Sequence, residues 1–105
     1  MSKLPIHPGA QVDLDLQDIG LSANQLAKAL GIPQSRLSEI IRGRRGITAD
    51  TALRLAAWQG TSPQYWMNLQ RNYELDLALE KSGEEIKRTI QPRDARSNAV
   101  PISSR

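Results

Sequence analysis

One window of this chain, Ala23 to Arg42, restricts the fold more than any other feature. Leu26, Leu30, Ile32, Leu37 and Ile40 recur there at helical spacing, and Gly31 interrupts the run. Two helices that cross steeply over a short turn need a small residue where their backbones approach and a residue that tolerates positive φ in the turn. Ala27 and Gly31 supply these. The window therefore reads as a helix-turn-helix of about twenty residues, its second helix held across the first by a shared apolar core.

Helical punctuation continues on both sides. Pro8 and Gly9 open a first helix carrying Val12, Leu16 and Ile19, which Gly20 closes. Ser22 is an N-cap for the second, and Pro33 falls in the first turn of the third, where its missing N–H has no intrahelical partner to lose. That third helix runs to about Arg42 and is followed by a basic turn, Gly43 to Gly46. Thr48 caps a fourth helix with Ala52, Leu53, Leu55 and Ala56 as its apolar set, ended by Gly60. Thr61, Ser62 and Pro63 start a fifth, expected to span Pro63 to Lys81 and to carry Tyr65, Trp66, Leu69, Tyr73 and Leu77. Past Ser82 and Gly83 the pattern weakens, and Ile86 and Ile90 fit a short helix or a strand. With no Phe and only two Trp and two Tyr, the core must be mainly Leu, Ile and Ala between close-packed helices. The expectation is an all-α, five-helix domain over residues 1–90, followed by a flexible tail over 91–105.

Composition excludes several classes of function. A length of 105 residues suits one domain. No cysteine is present and His7 is the single histidine, so a thiolate or imidazole metal site is ruled out, and no Ser-His-Asp or Cys-His centre can be assembled convincingly from one histidine near the N-terminus. No catalytic residue and no cofactor is expected. The opening MSKLPIHPG lacks the apolar run of a signal peptide and no stretch approaches membrane-spanning length, so the expectation is a soluble, cytoplasmic protein.

The net charge of +3 is mild, but its distribution is uneven. Arg36, Arg42, Arg44, Arg45 and Arg54 cluster around the motif against Glu39 and Asp50, while the first helix carries Asp13, Asp15 and Asp18. Projection of the third helix at about 100° per residue puts Leu37, Ile40 and Ile41 inside. Ser35, Glu39 and Arg42 then point outward, Arg36 and Ser38 lie on the flanks, and Gln34 occupies the exposed N-terminal end. Short hydrogen-bonding groups with arginine suit base edges in a major groove: Arg36 for guanine, Gln34 for adenine, Glu39 accepting from cytosine N4. Phosphate contacts are expected from Arg42, Arg44 and Arg45, and from the start of the second helix with Asn24 and Gln25. A merely solvated face would be the better reading of an isolated polar helix; the inner-face pattern favours DNA.

The run LAKALGIPQSRLSEIIRGRRGITADTALRLA, preceded by IHPG and followed by GTSPQYWMNLQRNYELDLA, closely resembles antitoxins of the HigA/VapI type within the Xre-like, lambda-repressor-like helix-turn-helix superfamily. The resemblance covers about Ile6 to Ala78 and departs from the family at Ala10, where an acidic residue commonly follows HPG. It implies a homodimer that binds a palindromic operator in its own promoter and also binds a toxin of the HigB type, a RelE-like ribonuclease that cleaves messenger RNA. Removing the toxin from this picture leaves a stand-alone phage- or plasmid-type repressor; a protein-interaction module without DNA binding fits the arginines less well, and an enzyme least.

Residues outside the motif have bland and sharp readings. Tyr65, Trp66, Leu69, Tyr73 and Leu77 give the fifth helix more apolar surface than a four-helix core readily buries, so they form the candidate dimer interface, with packing on helices one and four as the alternative for part of the set. His7 is expected to cap or pack at the start of the first helix, and Trp58 to be partly buried. Asp13, Asp15 and Asp18 read as dipole complements in early helical turns before they read as a surface for a basic partner.

Overall fold

The computed structural model describes residues 5–93, and within them the chain forms five α-helices: α1 (Pro8–Ile19), α2 (Ala23–Leu30), α3 (Gln34–Ile41), α4 (Ala49–Gln59) and α5 (Pro63–Thr89). No strand occurs among the described residues. The expected tail lies outside them from residue 94 onward.

Caps fix the boundaries. Ser22 and Gln25 form a reciprocal capping box, the Ser22 hydroxyl accepting from the Gln25 N–H at 3.1 Å and the Gln25 Oε1 from the Ser22 N–H at 2.9 Å. Thr48 and Ser62 cap α4 and α5 through their hydroxyls. His7 caps α1 with its ring: Nδ1 accepts from the Gly9 N–H at 2.9 Å. Pro33 occupies the cap position of α3 rather than its first turn and offers no side-chain bond.

Helix α3 packs on α1 and α2, and α4 packs on α2 and α5. Val12, Leu26, Leu37, Ile40, Leu55 and Trp66 are fully buried where these helices meet. The contact of α1 with α3 depends on Gly9, since a Cβ there would lie only 1.8 Å from the carbonyl oxygen of Ile40. Alongside it, Gly31 turns the chain between α2 and α3 with φ of 72°.

Four expectations are corrected. Helix α5 does not stop at Lys81 but continues through Ser82 and Gly83 to Thr89. One interior glycine costs about 1 kcal/mol against alanine, too little to end a helix otherwise rich in Leu, Glu, Lys and Arg. Trp66 is 0 % exposed, a core residue with no surface for a partner. Ile19 and Leu53 are exposed: the first lies in the last turn of α1, and the second is turned about 100° from buried Ala52, while Thr51 fills the inner position on its other side. Finally, α1 has no acidic residue in its first turn; because the helix begins at Pro8, Asp15 and Asp18 fall in its C-terminal half, where the dipole disfavours a carboxylate.

Candidate nucleic-acid interface

The inner side of α3 is sealed, with Leu37 and Ile40 both at 0 % exposure, and its opposite side is open. Gln34 and Ser35 are exposed at its N-terminal end, and Arg36, Ser38 and Glu39 are half-exposed. All five residues expected to read bases therefore reach solvent from one helix. Arg42, Arg44 and Arg45 follow in the exposed turn, and Asn24 and Gln25 are exposed at the start of α2.

Polar contacts divide these groups into engaged and free. Arg42 and Arg44 make no ion pair among the described residues. Arg45 donates through Nε to the Glu39 carboxylate at 3.0 Å, which leaves the other Glu39 oxygen for a base. Gln25 has committed its Oε1 to the capping box, so its Nε2 is what remains for a phosphate. Arg36 sits 3.8 Å from Asp50, the carboxylate that also accepts from Arg54 at 2.9 Å.

Three buttresses hold this surface, and the pattern of the sequence singles out none of them for that role. Gln70 of α5, 7 % exposed, accepts from the Ile47 N–H at 2.7 Å and donates to Glu74 at 2.8 Å. It thereby ties the end of the basic turn to α5, and a Cβ on Gly46 would meet its amide at 2.8 Å. Its only sequence signal is the four-residue step from Trp66, which places both on one helical face. Arg54 donates to the Leu30 carbonyl at 2.9 Å and so closes the C-terminal end of α2; its four-residue spacing from Asp50 is visible in the sequence. His7 joins α1 to the turn from the other side: its ring lies against Gly43 and packs edge-on against Tyr73, with ring centres 4.8 Å apart. Burial pushes its imidazole below the ordinary histidine range, with a backbone hydrogen bond to Arg45 acting the other way.

On α5, Leu69 and Tyr73 are half-buried on the same side as Trp66, and Leu77 continues that side and is exposed. A second apolar stripe, Leu75, Leu79 and Ile86, is exposed along its C-terminal half, with exposed Ile90 at the cap that follows. Leu75 follows Trp66 by nine residues, a rotation of about 180°, so the stripe lies on the opposite side of the helix. Tyr65 is exposed on the stripe's side. Leu75, Ala78, Leu79, Gly83, Ile86 and Lys87 line a shallow groove there. Among the described residues there is no cluster of potential metal ligands, and no helix is long and apolar enough to cross a membrane.

Comparison with known proteins agrees with this geometry. The helix-turn-helix family matches residues 16–66. Virulence-associated protein I of Dichelobacter nodosus is 51 % identical over 74 residues, spanning 70 % of this chain and 68 % of that protein. A HigA-family addiction module antidote protein from Coxiella burnetii superimposes with a TM-score of 0.84 at 49 % identity, covering 89 % of this chain and 100 % of the other. Pseudomonas aeruginosa antitoxin HigA, solved with the higBA promoter, does so with a TM-score of 0.79 at 42 % identity, over 84 % and 97 % of the two chains. With identity at this level over nearly the whole described fold, the chain belongs to the HigA-like antitoxins of the Xre-type helix-turn-helix family, whose members are DNA-binding proteins and not enzymes.

Proposed function

We propose that this chain is an antitoxin that binds a palindromic operator as a homodimer, represses its own operon, and neutralises a HigB-type, RelE-like messenger-RNA-cleaving toxin. The observation that carries the DNA part is the contrast across α3, sealed on Leu37 and Ile40 and open on Gln34, Ser35 and Arg36. The Pseudomonas relative solved on promoter DNA supports the same use of the fold. Gln34, Ser35, Arg36, Ser38 and Glu39 would then meet base edges, while Asn24, Gln25, Arg42, Arg44 and Arg45 hold the phosphates.

The homodimer rests on α5. Its exposed stripe of Leu75, Leu79 and Ile86, with Ile90 at the cap that follows and Tyr65 on the same side, is the face offered to a second copy, in place of the face centred on Trp66. Two copies related by a two-fold axis would present their α3 helices to successive major grooves about 34 Å apart, so the operator should hold two inverted half-sites about one turn apart.

Titrating a labelled duplex from the promoter upstream of the gene, at several salt concentrations, tests the DNA reading. Affinity should exceed that for a scrambled duplex and fall steeply as salt rises. Equal affinity for both duplexes would remove it. The toxin reading is tested by co-expression with the adjacent reading frame: a small basic product that arrests growth alone, and is silenced and co-purified with this chain, is the expected result. Growth unaffected by that neighbour would favour the stand-alone repressor.

A further inference from the structure

Behind the recognition helix one carboxylate serves two arginines. Arg54 Nε donates to Asp50 Oδ2 at 2.9 Å, while Arg54 Nη1 donates to the Leu30 carbonyl at 2.9 Å and lies 3.5 Å from that of Gly31. The same Asp50 oxygen is 3.8 Å from Arg36 Nη1. The first arginine fixes Asp50 to the α2–α3 turn, and the second belongs to the face turned toward DNA. Asp50 itself lies at the start of α4, in the first turn.

We infer that Asp50 is a specificity-determining residue that acts by positioning Arg36. The inference rests on Arg36 reading a base. An unrestrained arginine beside a duplex finds the nearest phosphate, a contact equally available on every sequence. Bidentate contact with guanine O6 and N7 instead requires the guanidinium fork in one place and one plane. Asp50 limits Arg36 to the region over its own carboxylate. Arg54, itself bonded to the Leu30 carbonyl, holds Asp50 from behind and restrains it from following the arginine. The negative charge of Asp50 also offsets part of the attraction to any backbone. Both effects lower the affinity for random sequence relative to the operator.

The test is a set of duplexes in which each base pair of one half-site is replaced in turn, bound to the wild type, R36A, D50N, D50E and R36A/D50N. R36A should flatten the preference at one base pair. D50N should flatten the same base pair and lower the operator-to-random affinity ratio by up to about fivefold, the upper limit open to a solvent-exposed ion pair. It should also tighten binding to random duplex. D50E, which keeps the carboxylate, should restore part of the preference, and D50N should add nothing at that base pair in the R36A background. If R36A flattens a base pair and D50N leaves it intact, the positioning role is overturned while the base-reading role of Arg36 stands. R36A flattening no base pair would overturn both. Asp50 is more than half exposed, so D50N should keep the helical spectrum and melting temperature near those of the wild type; an unfolded D50N with a folded D50E would mark the carboxylate as a fold requirement and refute the inference.

Discussion

Replacing Gly9 by alanine is the sharpest perturbation of the scaffold that presents α3. The added methyl would lie 1.8 Å from the Ile40 carbonyl oxygen, 2.7 Å from its carbon and 3.0 Å from the Ile41 Cα. A comfortable carbon–oxygen contact is about 3.3 Å, so α1 and α3 must part by roughly 1.5 Å. All three obstacles are backbone atoms, and none can rotate aside. Overpacking of this kind costs about 1–3 kcal/mol, and a rigid obstacle places it near the upper end. Alanine returns at most about 1 kcal/mol of helix propensity. A net loss of about 2 kcal/mol should lower the melting temperature by roughly 8–16 °C, read by circular dichroism at fixed protein concentration. Gly20→Ala is the matched control: Gly20 has φ of 70° but nothing within 4 Å of the place its methyl would take, so the change costs only the left-handed backbone, about 1–2 kcal/mol. The two variants also differ in function, because only Gly9→Ala displaces α3, and only it should weaken operator binding beyond what its stability explains. Unchanged melting and operator affinity in Gly9→Ala would refute the claimed approach of the two helices.

Three further outcomes follow from the same geometry. Arg44→Ala should weaken binding to operator and random duplex alike and reduce the slope of log affinity against log salt by about 0.9, the signature of one lost phosphate contact; a loss confined to the operator would contradict it. Leu79→Glu puts a charge in the exposed stripe of α5 and should yield a folded monomer in sedimentation with little operator affinity; a dimer of unchanged stability would move the interface elsewhere. His7 accepts the Gly9 N–H through Nδ1, which only the neutral ring can do, and its folded-state pKa lies below the ordinary 6.5. Its contribution to stability is therefore complete above pH 6.5 and is lost as pH falls through the lowered value, so urea midpoints should decline on acidification from neutrality toward pH 5, and His7→Asn, which keeps a capping acceptor, should flatten that decline.

The parts of the fold legible in the sequence are those written in local chemistry. Gly20, Gly31 and Gly60 each end a helix in the left-handed conformation, and Ser22, Thr48 and Ser62 each start one. The buried and open sides of α3 follow as well, since the sides of a short amphipathic helix are set by periodicity alone. Helix α5 misleads because its apolar residues belong to two faces in succession. Trp66 turns toward the core while Leu75, Leu79 and Ile86 turn away from it, and only the place where the other four helices end separates the two. Close approaches are equally hidden: the reason for a glycine at position 9 is the carbonyl of Ile40, thirty-one residues on. The pairing of Arg45 with Glu39 crosses a turn at a spacing no helical rule supplies, and the hydrogen bond from Ile47 to Gln70 spans two helices.

Whether the open side of α3 enters a major groove can be asked of the DNA itself, by partially methylating the promoter duplex and separating bound from unbound molecules. Methyl groups on guanine N7 should be depleted from the bound fraction at two symmetric sets of positions about ten base pairs apart. Bound duplex carrying N7 methylation freely, with exclusion seen only at adenine N3 in the minor groove, would contradict the account.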